Sequence, residues 1–158
     1  MPEHTRDASI KTVRATLDDL DELAVLFDAY RVFYRQASDP AVARAFLLER
    51  LQGNESIIFI ARDAANGEAI GFTQLYPSFS SVSAHRIWIL NDLFVAPGAR
   101  RRGVARALMG LARAFAMDTG ALRLVLETAE DNRSAQALYE SLGYAHETGT
   151  RHYSLELA

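Results

Sequence analysis

Apolar Ile10, Val13 and Ala15 are interleaved with polar Lys11, Thr12 and Arg14, and the stretch reads as a first strand. Helical spacing follows. Leu20, Leu23, Ala24, Phe27, Tyr30 and Tyr34 recur at helical spacing, one side of a helix predicted from Leu17 to about Arg35. Thr16 and Asp19 give that helix a capping-box-like start. Asp39-Pro40, a cap followed by proline at the first helical position, opens a second helix that ends near Gly53. Ile57 to Ala61 and Ala69 to Tyr76 read as strands joined by a turn at Asn66-Gly67, a strong hairpin signal. Pro77 to His85 reads as a serine-rich loop carrying Phe79.

The next stretch organises the rest. Arg86 to Val95 is an apolar run of strand formers, and after Arg86 only Asn91 and Asp92 interrupt it. A strand apolar on both faces is covered on both, so this one is predicted to be central. Regular alternation places Asn91 with Ile89 and Leu93, and Asp92 with Leu90 and Phe94 on the other face. Ala96, Pro97 and Gly98 stop the strand, and Arg100, Arg101, Arg102 and Gly103 follow. Beyond them Val104, Leu108, Leu111 and Phe115 mark one side of a third helix, ended by Gly120. Leu122 to Thr128 reads as another strand, and Asn132 to Leu142 as a helix with Gly143 at its carboxyl end. Tyr153 to Leu157 alternates apolar and polar residues and reads as a last strand.

A cationic loop, a glycine and a helix start present free backbone N–H groups to an anion. The first amides of a helix lack internal partners, and its dipole adds about half a positive charge there. The stretch therefore reads as a pyrophosphate cradle. It has neither the GKS/T ending of a P-loop nor the G-x-G-x-x-G of a Rossmann turn.

Composition narrows the classes. With 158 residues, 49% hydrophobic and 23% charged, the chain reads as one soluble domain, residues 1–158, with 1–8 expected to be a flexible tail. Net charge is −3, which opposes a nucleic-acid partner. There is no cysteine, so disulfides and thiol nucleophiles are excluded. No apolar stretch is long enough to cross a membrane, and the start MPEHTRD is not a signal peptide, so a cytoplasmic protein is expected. His4, His85, His146 and His152 fit no metal spacing, and no metal site is expected.

Arg100-x-x-Gly103-x-Ala105 resembles the (Arg/Gln)-x-x-Gly-x-(Gly/Ala) signature of the Gcn5-related N-acetyltransferases. A second signature, Asn132-x-x-Ala135-x-x-Leu138-Tyr139-Glu140-x-x-Gly143-Tyr144, resembles that family's motif B at the proper separation. The resemblance implies an α/β fold: a mixed, mostly antiparallel sheet with splayed fourth and fifth strands and about four helices. It implies acetyl-CoA as cofactor, with CoA as product. Leu93, Phe94, Val95, Arg100, Arg101, Arg102, Gly103, Val104, Ala105, Arg106, Asn132, Ala135 and Tyr139 are then the candidates to hold it. The Val95 N–H would face the thioester oxygen, and Tyr139 would protonate the leaving thiolate. Tyr144 reads as packing.

Many members carry a glutamate base where this chain has Asn91, so Asp92, Glu127 or a water chain must serve instead, and Asp92 is the choice. A base is needed because an alkyl ammonium with a pKa near 10.4 is neutral in only about one molecule in 2,500 at pH 7. Tyr30, Tyr34, Phe79 and Asn91 are candidates to meet the acceptor, and His85 could also touch it. Asp18, Asp19, Asp21, Glu22 and Asp28 lie near the first two, and acidic and aromatic groups attract cationic amines. LYPSFSS and LNDLFV also resemble the histone and polyamine acetyltransferase branch. The expected partner is thus a small-molecule amine, a polyamine or other cation, with a protein or peptide lysine as the alternative. A non-catalytic acyl-CoA sensor and an arginine-loop nucleic-acid module are the other classes, and homodimerisation is left open.

Overall fold

The computed structural model describes residues 9–158. The tail expected at residues 1–8, and His4 with it, lies outside the described residues. The chain forms two compact units, one running to Leu126 and the other spanning Glu127–Ala158.

The first unit is built on a five-stranded mixed sheet in the order β1-β2-β3-β4-β5. The strands are β1 Ile10–Arg14, β2 Ile57–Asp63, β3 Ala69–Ser80, β4 His85–Val95 and β5 Leu124–Val125. β1 to β4 pair antiparallel and β5 pairs parallel to β4. Thr16 and Asp19 make the expected capping box, on a single 3-10 turn that leads into α1 Leu20–Phe33. Asp39 caps α2 Pro40–Gln52 by accepting from the Val42 amide, as the proline signal requires. α1 and α2 cover one face of the sheet, where Leu23, Phe27, Leu47, Ile58, Ile60, Phe72 and Phe94 form the core. Burying each such side chain is worth about 1.5–3 kcal/mol. α3 Val104–Asp118 covers the other face, where Phe115 meets Phe59 and Trp88. Gly71 lets α3 come close: a Cβ there would lie 2.9 Å from the Phe94 carbonyl oxygen and 3.0 Å from Val104 Cγ1.

In this unit three expectations are corrected. Pro77 to His85 is not a loop. β3 runs on to Ser80 and pairs with β4 as far as Ser80 opposite His85, because alternation can continue through serine when an edge is there to pair with. The strand expected at Leu122 to Thr128 shrinks to Leu124–Val125, opposite Trp88 and Ile89. Asn91 and Asp92 do not follow regular alternation either. Gln74 faces Asp92 but Leu75 faces Leu90, so Asn91 has no partner and is the extra residue of a β-bulge. Trp88 accordingly points at Phe115 of α3, whereas Phe94, an even number of residues away, points at Tyr30 of α1. Leu90 and Asp92 therefore lie on opposite faces. β5 also stops opposite Ile89, so β4 from the bulge onward has no described neighbour strand on that side.

In the second unit, Asn132 caps α4 Arg133–Ser141 and Gly143 takes a positive φ of 92° just beyond it. The strand expected at Tyr153–Leu157 is absent. Period-two patterning makes a segment able to pair but supplies no edge, and Tyr153, Leu155 and Leu157 are 82–90% exposed.

Candidate active site

Four buried polar residues stand out among the described residues: Ser56, Thr73, Gln74 and Asp92. They form one connected network. The Ser56 hydroxyl donates to Gln74 Oε1 at 2.8 Å, and Gln74 Nε2 donates to Asp92 Oδ2. Asn91 Nδ2 donates to Asp92 Oδ1 at 2.8 Å, and the Thr73 hydroxyl donates to the Asp92 carbonyl at 2.8 Å. The Tyr30 hydroxyl, from α1, lies near enough to influence the same carboxylate. The bulge places Asp92 here, because it turns that side chain towards α1 while Leu90 faces away.

Burial raises the Asp92 carboxyl above its ordinary value, and the bonds from Gln74 and Asn91, with the nearby Tyr30 hydroxyl, pull it part of the way back. Burial, and then the neighbouring Asp92 charge, push the Tyr76 phenol up to about 12, with Arg50 pulling the other way. The Tyr30 phenol is raised further by the same two causes. Asp92 is thus a carboxylate poised above the usual range beside two tyrosines that stay protonated, the environment a general base needs.

The carrier-binding candidates divide. Gly103 takes φ +77° at the N-terminus of α3, where it cannot supply a side-chain cap, and the first turn holds no acid. A Cβ at this glycine would meet nothing within 4 Å, so the outer side of the helix start is open. Arg101 precedes it with φ 64° and is exposed. Arg102 turns back: Nη1 pairs with Asp63 at 3.0 Å, and Nη2 lies 3.4 Å from the Ser9 hydroxyl. Arg100 Nε donates to the Val95 carbonyl, and its guanidinium lies 5.8 Å from the Phe33 ring centre. Phe94 and Val104 are core side chains, Leu93, Val95 and Ala105 are half-buried, and Arg106 is exposed. In the second unit, Asn132 Oδ1 accepts from the Ala135 amide at 3.2 Å, and the Tyr139 ring lies 6.1 Å from that of Tyr144. Glu127, the alternative base, is not on a strand and pairs at 3.3 Å with His152, both largely exposed.

The acceptor candidates divide too. Tyr34 packs edge-on to Tyr30 at 5.0 Å, within the aromatic set that reaches Asp92. Phe79 instead carries the Arg86 guanidinium 4.7 Å from its ring centre, so that ring already holds a cation of its own chain. Four of the five acids near α1, all but Asp18, are also engaged. Arg62 takes Asp19 and Glu22, Arg44 takes Asp21, and Ser38 and the Asp39 amide bond Asp28. Sequence reasoning missed Gln74, Ser56 and Tyr76. The signal for Gln74 was a polar residue at a core position of an otherwise apolar strand. No group of three or more His, Cys, Asp or Glu able to hold a metal ion occurs among the described residues.

The mixed sheet, with its fourth strand leading into a glycine-started helix, agrees with the α/β fold that the Arg100–Ala105 resemblance implies. The chain belongs to the acetyltransferase (GNAT) family, whose model matches residues 22–144. It is 52% identical over 144 residues to the uncharacterized N-acetyltransferase YhfO of Bacillus subtilis (strain 168), covering 91% of this chain and 95% of that one. A probable acetyltransferase of Haemophilus influenzae is 38% identical over 94% of this chain and 99% of its own. The crystal structure of a probable acetyltransferase, 44% identical, superposes with a TM-score of 0.88 over 94% of this chain and 98% of that one. The protein is an acyltransferase of this family.

Proposed function

We propose that this enzyme transfers the acetyl group of acetyl-CoA directly to the primary amine of a small cationic acceptor, with spermidine as the first candidate. The observation that carries the carrier reading is the open, glycine-started N-terminus of α3 directly after β4. Its first-turn amides and the Arg101 side chain would hold the pyrophosphate. When bound, acetyl-CoA supplies an acyl group activated as a thioester. The Val95 N–H would orient the thioester carbonyl oxygen, and Tyr139 would protonate the departing thiolate. Asp92 removes the amine proton, a step that offsets about 4.6 kcal/mol at pH 7.

The cationic preference rests on Asp92 and the rings of Tyr30, Tyr34 and Tyr76 rather than on the α1 carboxylates, most of which arginines, Ser38 and backbone already engage. Cation–π contact with such rings contributes roughly 0.5–2 kcal/mol. The test is a thermal-shift panel followed by an acceptor screen with thiol detection. Acetyl-CoA at one hundred times its Kd should raise Tm by about 5–10 °C, and oligonucleotides should not. Cationic alkyl amines should release thiol faster than aryl amines, with the margin shrinking at high salt. Absence of an acetyl-CoA shift would contradict the carrier reading. An uncharged amine as best acceptor would contradict the cationic one alone.

A further inference from the structure

Of the three consecutive arginines before α3, two turn back onto the fold. Arg100 Nε donates to the Val95 carbonyl at 3.2 Å. Arg102 reaches across to the end of β2, where Nη1 meets Asp63 Oδ2 at 3.0 Å, and Nη2 donates to the Ser9 hydroxyl oxygen at 3.4 Å. Arg101, between them, is exposed. The contact with Asp63 needs a reason, because a carboxylate beside a pyrophosphate cradle repels the ligand and neutralises one of the loop's cations. We propose that Asp63 and Arg102 are positioning residues of the carrier site. Their ion pair is a strut that holds the start of α3 in its binding conformation, and neither side chain touches the pyrophosphate. The proposal rests on the reading of that helix start as the cradle.

The backbone has something to hold. Arg101 has φ 64° and Gly103 φ 77°, so left-handed residues stand on either side of Arg102. Glycine adopts that region freely, whereas a β-carbon makes it unfavourable for arginine. Such a residue persists only where its surroundings fix it. With the loop released, Arg101 relaxes out of the left-handed region and the first-turn amides of α3 lose their common aim. The anchor itself is firmly tied. Asp63 Oδ1 accepts from the Ala65 amide, the Asp63 carbonyl accepts from the Gly67 amide, and the Asp63 amide donates to the Glu68 carbonyl, each at 2.8 Å. One carboxylate oxygen is thus used by the turn after β2 and the other by Arg102. The bond from Ala65, and then the Arg102 guanidinium, hold the Asp63 carboxyl below its ordinary value, so the pair is charged at neutral pH. Arg102 is half-buried and the Asp63 side chain is 19% exposed, so water and salt screen this pair less than an open surface pair.

The sign of one effect separates a strut from a plain charge. Asp63→Asn can keep the bond from Ala65 while setting an amide N–H opposite the guanidinium, donor against donor. By Coulomb attraction alone, removing an acid beside a polyanion site tightens binding; losing the strut weakens it. Calorimetry should show the acetyl-CoA Kd of Asp63→Asn raised about 5- to 30-fold in a protein with native circular dichroism. Arg102→Ala should weaken binding at least as much, and Asp63→Asn/Arg102→Ala should lie within about twofold of Arg102→Ala alone. With spermidine or the fastest alkyl amine, Asp63→Asn should raise the acetyl-CoA KM while kcat stays within about twofold. A kcat that falls as far as the affinity would make the pair merely structural. Unchanged or tighter binding in Asp63→Asn, beside a loss in Arg102→Ala, would make Arg102 a direct ligand and overturn the strut, as would losses that multiply. If Asp63→Asn does not fold, a crystal structure of the wild type with CoA decides. Arg102 should keep its ion pair with Asp63, and an Arg102 nitrogen bonded to the pyrophosphate would overturn the proposal. Wild-type protein that binds no acetyl-CoA removes the carrier reading and the strut together; wild-type binding beside an unaffected Asp63→Asn removes the strut alone.

Discussion

Ile10–Arg14 and Tyr153–Leu157 both read as strands from their mix of apolar and polar positions, the second with the stricter alternation, yet only the first is a strand. All five residues of β1 find a partner on β2, from Ile10 opposite Asp63 to Arg14 opposite Phe59. The second stretch finds none, and its apolar side chains stay in water. A strand is a property of two segments, and alternation reports on one of them. The contrast extends to chemistry. The sheet unit buries Asp92 and half-buries Tyr76, and both are displaced from their ordinary pKa values. In the Glu127–Ala158 unit the Glu127–His152 pair is largely exposed, where an ion pair contributes little.

The largest expected effect breaks the sheet side of this contrast at its open end. Gly103→Glu places an anion at the start of α3 and a Cβ at φ +77°, and should abolish acetyl-CoA binding in isothermal titration while circular dichroism stays native. Unchanged affinity in a folded variant would remove the cradle. Next is Tyr139→Phe, which sharpens the other side: if this exposed unit contributes to the reaction, kcat should fall about 10²–10⁴-fold with acetyl-CoA affinity nearly constant. A kcat within threefold of wild type would make Tyr139 a packing residue. Phe72→Ala, at a fully buried site between α1 and the sheet, should cost about 3–5 kcal/mol by urea unfolding. Leu155→Ser should cost less than about 0.5 kcal/mol by the same measurement. A cost above about 1 kcal/mol would show that the final segment is paired in solution, and the contrast would fail.

The sequence was most informative where a residue acts locally. Thr16 with Asp19, Asp39 before Pro40 and Asn132 each cap the turn they precede, and their signals are complete within four residues. The α3 start was legible for the same reason. The bulge at Asn91 was not, since it is a relation between β3 and β4, and only the register of Gln74 with Asp92 reveals it. Two adjacent polar residues in an apolar run marked the place without giving the geometry. The engagement of the α1 acids was equally hidden, because Arg62 lies 40 and 43 residues from its partners Glu22 and Asp19.

The central claim is that Asp92 is the base, and the pH dependence of kcat/KM in wild type and Asp92→Asn tests it directly. An active base is the deprotonated form, and burial raises Asp92 above its ordinary value. The rate should therefore rise with pH through a limb lying above the usual carboxylate range. Linkage gives a matching sign for stability: the folded state holds this proton more tightly than the unfolded chain, so Asp92's contribution falls as pH rises through the same window. In folded Asp92→Asn that limb should disappear and kcat/KM should drop by about 10²-fold or more. A variant that keeps the limb and a rate within threefold of wild type would contradict the account.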